Sequence, residues 1–377
     1  MIYLDNAATT RLTEPVLEAM LPYLTTEYAN PSAAYGSALI ARAAVERARA
    51  QCASVVDARP EEIVFTGSGT EGDNWALRSA LLMTGKRRII TTKIEHHAIL
   101  RCCERLRQEG VSVTYLDTDR DGLVQPEAVR RALTDDTALV SVMSANNEIG
   151  TIQPIREIGE ICRARGILFH TDAVQAYGHI PLNVGEMNVD LLSASAHKLH
   201  GPKGVGLLYI RNGLALPPLL YGGTQERGKR AGTTNTAGAA GFGAAAELAA
   251  KTMEGSSVKI AAMRDALIRR ILTQIPGSSL NGHPENRLPG NVNVSFSGIN
   301  GSELLMLLDR QGICASTGAA CNTGSEEPSH VLAAIGRTRA QISGAIRLSL
   351  SDETTQEELD EAFSALKESV SVLSMLS

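Results

Sequence analysis

Lys198 lies in the run Ser193-Ala194-Ser195-Ala196-His197-Lys198-Leu199-His200-Gly201-Pro202-Lys203-Gly204, between two short apolar segments, Val189 to Leu192 and Val205 to Ile210. Those segments read as buried strands. The lysine then sits on the connection between them, among small residues that let a bulky ligand approach the backbone. Desolvation disfavours the charged form of an amine, and a lysine that sheds its proton is a nucleophile toward a carbonyl carbon. Upstream, the run Ile167 to His170 ends in Thr171-Asp172-Ala173-Val174-Gln175. An ionised carboxylate at a strand end can hold a heteroaromatic nitrogen in its protonated form and make that ring an electron sink. An amine nucleophile beside such a carboxylate is what pyridoxal 5'-phosphate (PLP) requires. Taken singly, Lys198 also reads as a surface lysine in a Gly/Pro turn, and Asp172 as a helix cap.

Other stretches supply further parts of one site. Strand Glu62 to Thr66 runs into Gly67-Ser68-Gly69-Thr70-Glu71-Gly72-Asp73-Asn74, a glycine-rich turn opening the helix Trp75 to Met83, where bare N–H groups bind phosphate. The same spelling fits G-x-G-x-x-G, with Glu95 as a ribose partner, so a dinucleotide-binding dehydrogenase is an alternative. Asparagines in Ser144-Ala145-Asn146-Asn147-Glu148 either shape a turn or donate to a ligand. In Glu95-His96-His97 a histidine can lie over a flat ring and shuttle protons. A zinc site from His96, His97, Cys102 and Cys103 is a competing use, although adjacent pairs are not the usual ligand spacing. Cys321 lies among Gly, Ala, Ser and Thr, with no large side chain to bury it, and exposed loop thiols react. Arg347 falls inside the strand Ala345 to Leu350, where its planar fork needs a carboxylate, either a ligand's or an internal partner's.

These residues need a scaffold, and its period is legible. Strands at 88–92, 111–116, 138–143 and 167–170 alternate with helices at 98–109, 126–133 and 155–165. That pattern predicts an α/β layer with a largely parallel sheet, whose ligands gather at the carboxyl ends of its strands. Helices are expected at 14–24 and 37–55, and again at 237–251 and 258–275. The first 14 residues and those from 259 to 377 form the smaller α/β domain, and 15–258 the larger one, with the boundary near the last two helices.

The chain has 377 residues, 44% apolar and 20% charged, with a net charge of −5. That balance gives no support to nucleic-acid or membrane-surface binding. No run of eighteen apolar residues or leader-like start is visible, so a cytoplasmic protein is expected. Six irregularly spaced cysteines are expected to be thiols.

With these stretches in view, the chain resembles the cysteine desulfurases of the NifS/IscS-like kind, class V aminotransferases of PLP fold type I. The resemblance runs nearly end to end, from Tyr3-Leu4-Asp5-Asn6-Ala7-Ala8 through Ser195-Ala196-His197-Lys198 and Gly222-Gly223-Thr224-Gln225-Glu226-Arg227-Gly228 to Ser316–Cys321. It implies a mixed, mostly parallel sheet flanked by helices, plus a small α/β domain carrying the Cys321 loop. Lys198 would bind PLP and move the substrate's α-proton. Asp172 would pair with the ring nitrogen and Gln175 with the ring hydroxyl, with His96 stacked on the ring. Gly69, Thr70, Ser195 and His197 would hold the phosphate, completed by Thr233 from the other subunit of a homodimer. Asn147 would serve cofactor and substrate, and Arg347 the substrate carboxylate. Cys321 would be the nucleophile, taking sulfur from L-cysteine as a persulfide and leaving L-alanine. No resident metal is implied, though Cys321 could ligate a transient iron–sulfur cluster. The acceptor would be an iron–sulfur scaffold or a tRNA-thiolation protein. A selenocysteine lyase or another class V enzyme is the alternative. Three departures stand out: alanine before Cys321 where serine is frequent, an extra glycine in the phosphate turn, and a long stretch from 322 to 330 that resembles the group with a mobile catalytic segment. The chain ends soon after Leu376, so the tail by which some relatives dock a scaffold is expected to be short or absent.

Overall fold

A computed structural model of the chain describes residues 1–317 and 328–376. The order begins with β1 (Ile2–Tyr3), α1 (Glu14–Thr25), α2 (Gly36–Ser54), β2 (Ile63–Thr66), α3 (Gly69–Thr84), β3 (Arg88–Thr92), α4 (His97–Gln108) and β4 (Ser112–Leu116). It continues with α5 (Pro126–Ala132), β5 (Thr137–Ser141), α6 (Ile155–Ala164), β6 (Leu168–Asp172), β7 (Leu191–Ser195), β8 (Gly206–Ile210) and α7 (Thr236–Gln274). The remainder is β9 (Ser278–Leu280), β10 (Asn291–Phe296), α8 (Gly301–Arg310), β11 (Ile313–Cys314), α9 (His330–Ala334), α10 (Arg339–Ser343), β12 (Ala345–Ser349) and α11 (Gln356–Leu376).

Seven strands form the main sheet in the order β2-β8-β7-β6-β5-β3-β4. The run from β7 to β4 is parallel, and β8 lies antiparallel to both of its neighbours. Both faces are covered, as a mostly parallel sheet demands. Successive side chains on a strand point to opposite faces, and the core divides accordingly. Val140, Phe169, Leu192 and Leu207 join one apolar cluster with α2, α6 and the first half of α7. Their neighbours Leu139, Leu168, Leu191 and Leu208 join another with α3 and α4. A third cluster gathers Ile2 and Leu4 with β10, β12, α8 and α11. There β10 pairs antiparallel with β9 and β12, and β1 pairs parallel with β11.

Three expectations from the sequence change here. The two helices expected at 237–251 and 258–275 are one 39-residue helix, α7. Gly255-Ser256-Ser257 lowers propensity by at most about 1 kcal/mol at its glycine, and no proline interrupts the run. Helix α7 thus serves two cores: Ala239 and Phe242 lie in one, Leu267 and Ile271 in the other. Helix α3 starts at Gly69 rather than Trp75, so Gly72 and Asp73 are helical. Strand β7 runs on to Ser195, which brings the lysine connection directly to the carboxyl end of that strand.

Candidate active site

The ends of β6 and β7, the start of α3 and His96–His97 border a cavity of about 270 Å³. Lys198 enters it from a single 3-10 turn, Ala196–Lys198, that follows β7. Its Nζ donates to the carbonyls of Ala7 and Ala8, both at 2.7 Å. The N-terminal segment is laced over this turn: Thr10 donates from N and Oγ1 to the carbonyl of His197, and Gln175 Nε2 donates to Ala7 O at 2.9 Å.

Asp172 ends β6, 5% exposed, and its Oδ1 accepts from Val174 N–H at 2.9 Å. Burial raises its pKa, while that N–H and the Lys198 charge lower it. A cation placed in the cavity beside it would favour the ionised form.

Helix α3 begins with a near-capping box. Ser68 Oγ accepts from Glu71 N–H, and Glu71 Oε2 accepts from Gly67 N–H, while Arg230 pairs with the Glu71 carboxylate at 2.8 Å. N–H groups in a helix's first turn have no acceptor inside the helix, and Gly69 and Thr70 line the cavity there. A Cβ on Gly69 would stand 2.5 Å from Val174 Cγ2, so only glycine lets α3 start this close to the Asp172 strand end.

His96 caps α4, its Nδ1 accepting from Ala98 N–H at 3.1 Å. That bond fixes the tautomer with the proton on Nε2. Burial first, then the Lys198 charge, pushes its pKa down to about 4, so the ring is neutral at ordinary pH. His197 is likewise pushed down to about 4 by burial, with Nδ1 3.1 Å from Thr9 Oγ1.

On the far side, Arg347 of β12 is 2% exposed and donates to Asp5 Oδ1 at 2.8 Å and to Asn147 O at 2.9 Å. Among the described residues its buried Nε has no hydrogen-bond partner. The two uses of the asparagines separate. Asn146 shapes the turn, its Oδ1 accepting from Glu148 and Ile149 N–H, whereas Asn147 lines the cavity.

The cavity therefore gathers Lys198, Asp172, Gln175, His96, Asn147 and Arg347, with Gly69, Thr70, Ser195 and His197 at the end where α3 begins. Thr233 is exposed and does not line the cavity of its own chain. Cys321 lies outside the described residues. Residues present fit a phosphorylated pyridine aldehyde: a buried carboxylate for a ring nitrogen, a primary amine, a neutral imidazole, and a helix start kept open by Gly69.

The competing uses fail on geometry. Glu95 is fully buried, with Oε1 accepting from Thr92 Oγ1 and Met143 N–H, so it cannot reach a ribose. Cys102 and Cys103 are buried in the α3–α4 core, and among the described residues no three His, Cys, Asp or Glu side chains gather as metal ligands.

Three titratable cavity residues were given no role in the sequence reading: Asp73, Glu148 and His330. Glu148 is 4% exposed and accepts from Ser329 Oγ at 2.5 Å. Burial pushes its pKa up to about 7. His330 Nε2 lies 2.9 Å from Glu95 O, and its ring centroid is 4.8 Å from that of His97. Asp73 and Glu148 lie inside the quoted stretches, which was their signal, and His330 had none.

The aminotransferase class-V family model matches residues 2–362. A curated relative, "Cysteine desulfurase IscS" of Methanosarcina thermophila, is 50% identical over 379 aligned residues, which cover 100% of this chain and 93% of that one. The protein of the same name from Dictyoglomus turgidum is 47% identical, covering 100% and 96%. Among solved structures, one titled "NifS-like protein" superposes with a TM-score of 0.92 at 39% identity and 99% coverage of both chains. Another, "SspA in complex with cysteine", gives 0.84 at 36% identity, covering 94% and 100%. With fold, cavity and likeness agreeing along its length, the chain belongs to the class V aminotransferase family. Its fold is that of the PLP-dependent enzymes of fold type I, and this family uses PLP.

Proposed function

We propose that the chain is a PLP-dependent cysteine desulfurase, converting L-cysteine to L-alanine and leaving a persulfide on Cys321. The observation that carries this is the convergence of Lys198, Asp172, His96 and the start of α3 on one cavity, in a chain half identical to a curated desulfurase. When bound, PLP draws off the electron pair released at the substrate's α-carbon.

The chain's own residues do the rest. Lys198 would hold the cofactor, and its Nζ, once freed by the substrate's amine, would carry the α-proton. Asp172 keeps the ring nitrogen protonated by its charge. Gln175, its amide oriented by the bond to Ala7 O, donates to the ring hydroxyl. His96 is neutral and flat, and it covers the ring without adding a competing cation. Gly69, Thr70, Ser195 and His197 hold the phosphate, with Thr233 supplied by a second copy of the chain. Arg347 and Asn147 take the substrate carboxylate. The Cys321 thiolate then bonds to the substrate sulfur as the carbon–sulfur bond breaks. The bonding pair stays with the carbon skeleton, which takes up a proton. Two transfers replace one difficult one: the persulfide goes on to an acceptor, an iron–sulfur scaffold or a tRNA-thiolation protein.

A homodimer is part of this reading. Leu17, Leu21 and Leu24 on α1, with Leu39 and Ile40 on α2, are exposed large apolar side chains, the kind of patch that marks an interface. We also infer a large cofactor-binding unit, 15–258, and a small one from 1–14 and 259–377. The latter matches the core that joins Ile2 and Leu4 to β10, β12 and α11. A cytoplasmic site agrees with Cys52, Cys102, Cys103, Cys162 and Cys314 being unpaired. No described helix is long and apolar enough to cross a membrane.

The test is incubation of the PLP-loaded protein with ³⁵S-cysteine. Label should appear on Cys321 with stoichiometric alanine. A Cys321→Ala variant that still produced alanine and sulfide at the normal rate would defeat the reading.

A further inference from the structure

The fork of Arg347 is tied to two fixed acceptors from opposite parts of the chain. Nη2 donates to Asp5 Oδ1 at 2.8 Å and Nη1 to Asn147 O at 2.9 Å. A guanidinium carries five N–H donors in one plane. Holding both terminal nitrogens fixes that plane. Among the described residues it leaves the Nε–H and one N–H on each terminal nitrogen for a ligand. Arg347 lines the cofactor cavity and Asp5 does not, so Asp5 acts on a ligand only through the arginine. Glu148, the other carboxyl that feels the Arg347 charge, is engaged by Ser329 Oγ instead.

The place of Asp5 is set by backbone, independently of its carboxylate. It bridges in parallel to Ser349 of β12, which lies two residues beyond Arg347 on the same face of the strand. Leu4 O accepts from Ser349 N–H at 2.7 Å. Asn6 Nδ2 donates to Ser349 O and Ala7 N–H to Ser349 Oγ, each at 2.8 Å. The same run continues to the carbonyls of Ala7 and Ala8 that receive Lys198 Nζ. One short segment thus braces the lysine with its carbonyls and the arginine with its carboxylate.

Two effects of Asp5 on an incoming carboxylate oppose each other. Its negative charge weakens the attraction of the Arg347 cation for a second anion. Its hydrogen bond spares that anion the cost of ordering a long side chain and presents a fork already aimed. We propose that Asp5 is a positioning residue for substrate recognition. Its carboxylate sets the plane and direction of the Arg347 fork, so that the remaining N–H groups meet the carboxylate of an α-amino acid. This rests on the reading of Arg347 as the substrate-carboxylate site.

The test uses the PLP-loaded protein. Dissociation constants for L-alanine and ethylamine, which differ by one carboxylate, are read from the change in visible absorbance, alongside KM and kcat for L-cysteine and the thermal midpoint. In Asp5→Ala, L-alanine should bind about tenfold more weakly, the scale of a lost hydrogen bond to a charged group, and ethylamine as in the wild type. KM for L-cysteine should rise by a similar factor with kcat little changed. Asp5→Asn keeps an oxygen for Nη2 and sheds the charge, so it should bind L-alanine at least as tightly as the wild type. If Asp5→Ala weakens both amines alike, or lowers only the thermal midpoint, Asp5 is merely structural and the proposal fails. If Asp5→Asn binds L-alanine as weakly as Asp5→Ala, orientation is not the cause and the proposal fails again. Should Asp5→Ala not fold, Asp5→Ser, whose oxygen falls one bond short, takes its place with the same expectation. Arg347→Ala should lose the preference for L-alanine over ethylamine. If it keeps that preference, the reading of Arg347 falls and the proposal with it. A loss in Arg347→Ala with none in Asp5→Ala overturns the proposal alone.

Discussion

Glu226 is where the glycine-rich loop before α7 is fastened to the large sheet, and removing its charge should loosen that loop. Its carboxylate grips Arg49 with both oxygens, at 2.7 and 3.0 Å, and one of them also accepts from Phe65 N–H at 2.9 Å. Both side chains of the pair are about 5% exposed or less. Breaking a buried pair costs about 3–5 kcal/mol, because one charge is stranded. Here Arg49 keeps a contact with Glu46 at 3.2 Å and with Ile63 O. Glu226→Gln also keeps an acceptor for Phe65. The cost should therefore fall near the lower bound, about 3 kcal/mol, which raises the population of the detached loop roughly a hundredfold. Arg227, Lys229 and Arg230 are trypsin sites within it. Under conditions where reclosing outruns cleavage, the cleavage rate follows that population. We expect cutting between 227 and 231 to accelerate about a hundredfold in Glu226→Gln and less than about threefold in Glu46→Gln, whose carboxylate is half exposed. Equal rates for Glu226→Gln and the wild type would refute the claim that this ion pair fastens the loop. The same loop holds Thr233, so PLP affinity of the variant should fall while Lys198 remains competent to bind it.

Other outcomes follow from the same geometry. Lys198→Ala should abolish both the visible absorbance that borohydride otherwise bleaches and the label that this reduction fixes at position 198, measured by spectrophotometry and peptide mapping. Burial raises the Asp172 pKa to about 6, and the anion is the form that holds a ring cation. PLP affinity should therefore be full above that value and fall about tenfold per unit below it, read from dissociation constants. His96, neutral down to about 4, should contribute nothing to that limb, so His96→Phe should keep its midpoint. Glu148 has a folded pKa raised from 4.5 to about 7. Its penalty is absent below 4.5 and grows as pH rises toward 7, to at most about 3 kcal/mol. Glu148→Gln should thus raise the thermal midpoint of the cofactor-free protein at pH 8.5 and leave it unchanged at pH 4.5.

Local chemistry made much of this protein legible in its residues alone. Strands such as Leu168–Asp172 and Leu191–Ser195 are short apolar runs between turn formers, and a period of that kind leaves few folds open. Lys198 among glycines and Asp172 at a strand end announced their chemistry by type and setting. What the sequence could not supply was anything that depends on two distant segments meeting. Whether Arg347 takes an internal carboxylate depends on Asp5, which β1 and β12 bring together across the whole chain. Asn146 and Asn147 are indistinguishable as neighbours, and separate only because the turn consumes one and the cavity receives the other. The continuity of α7 through Gly255 was decided by two apolar cores that it joins, a tertiary gain larger than the local propensity cost.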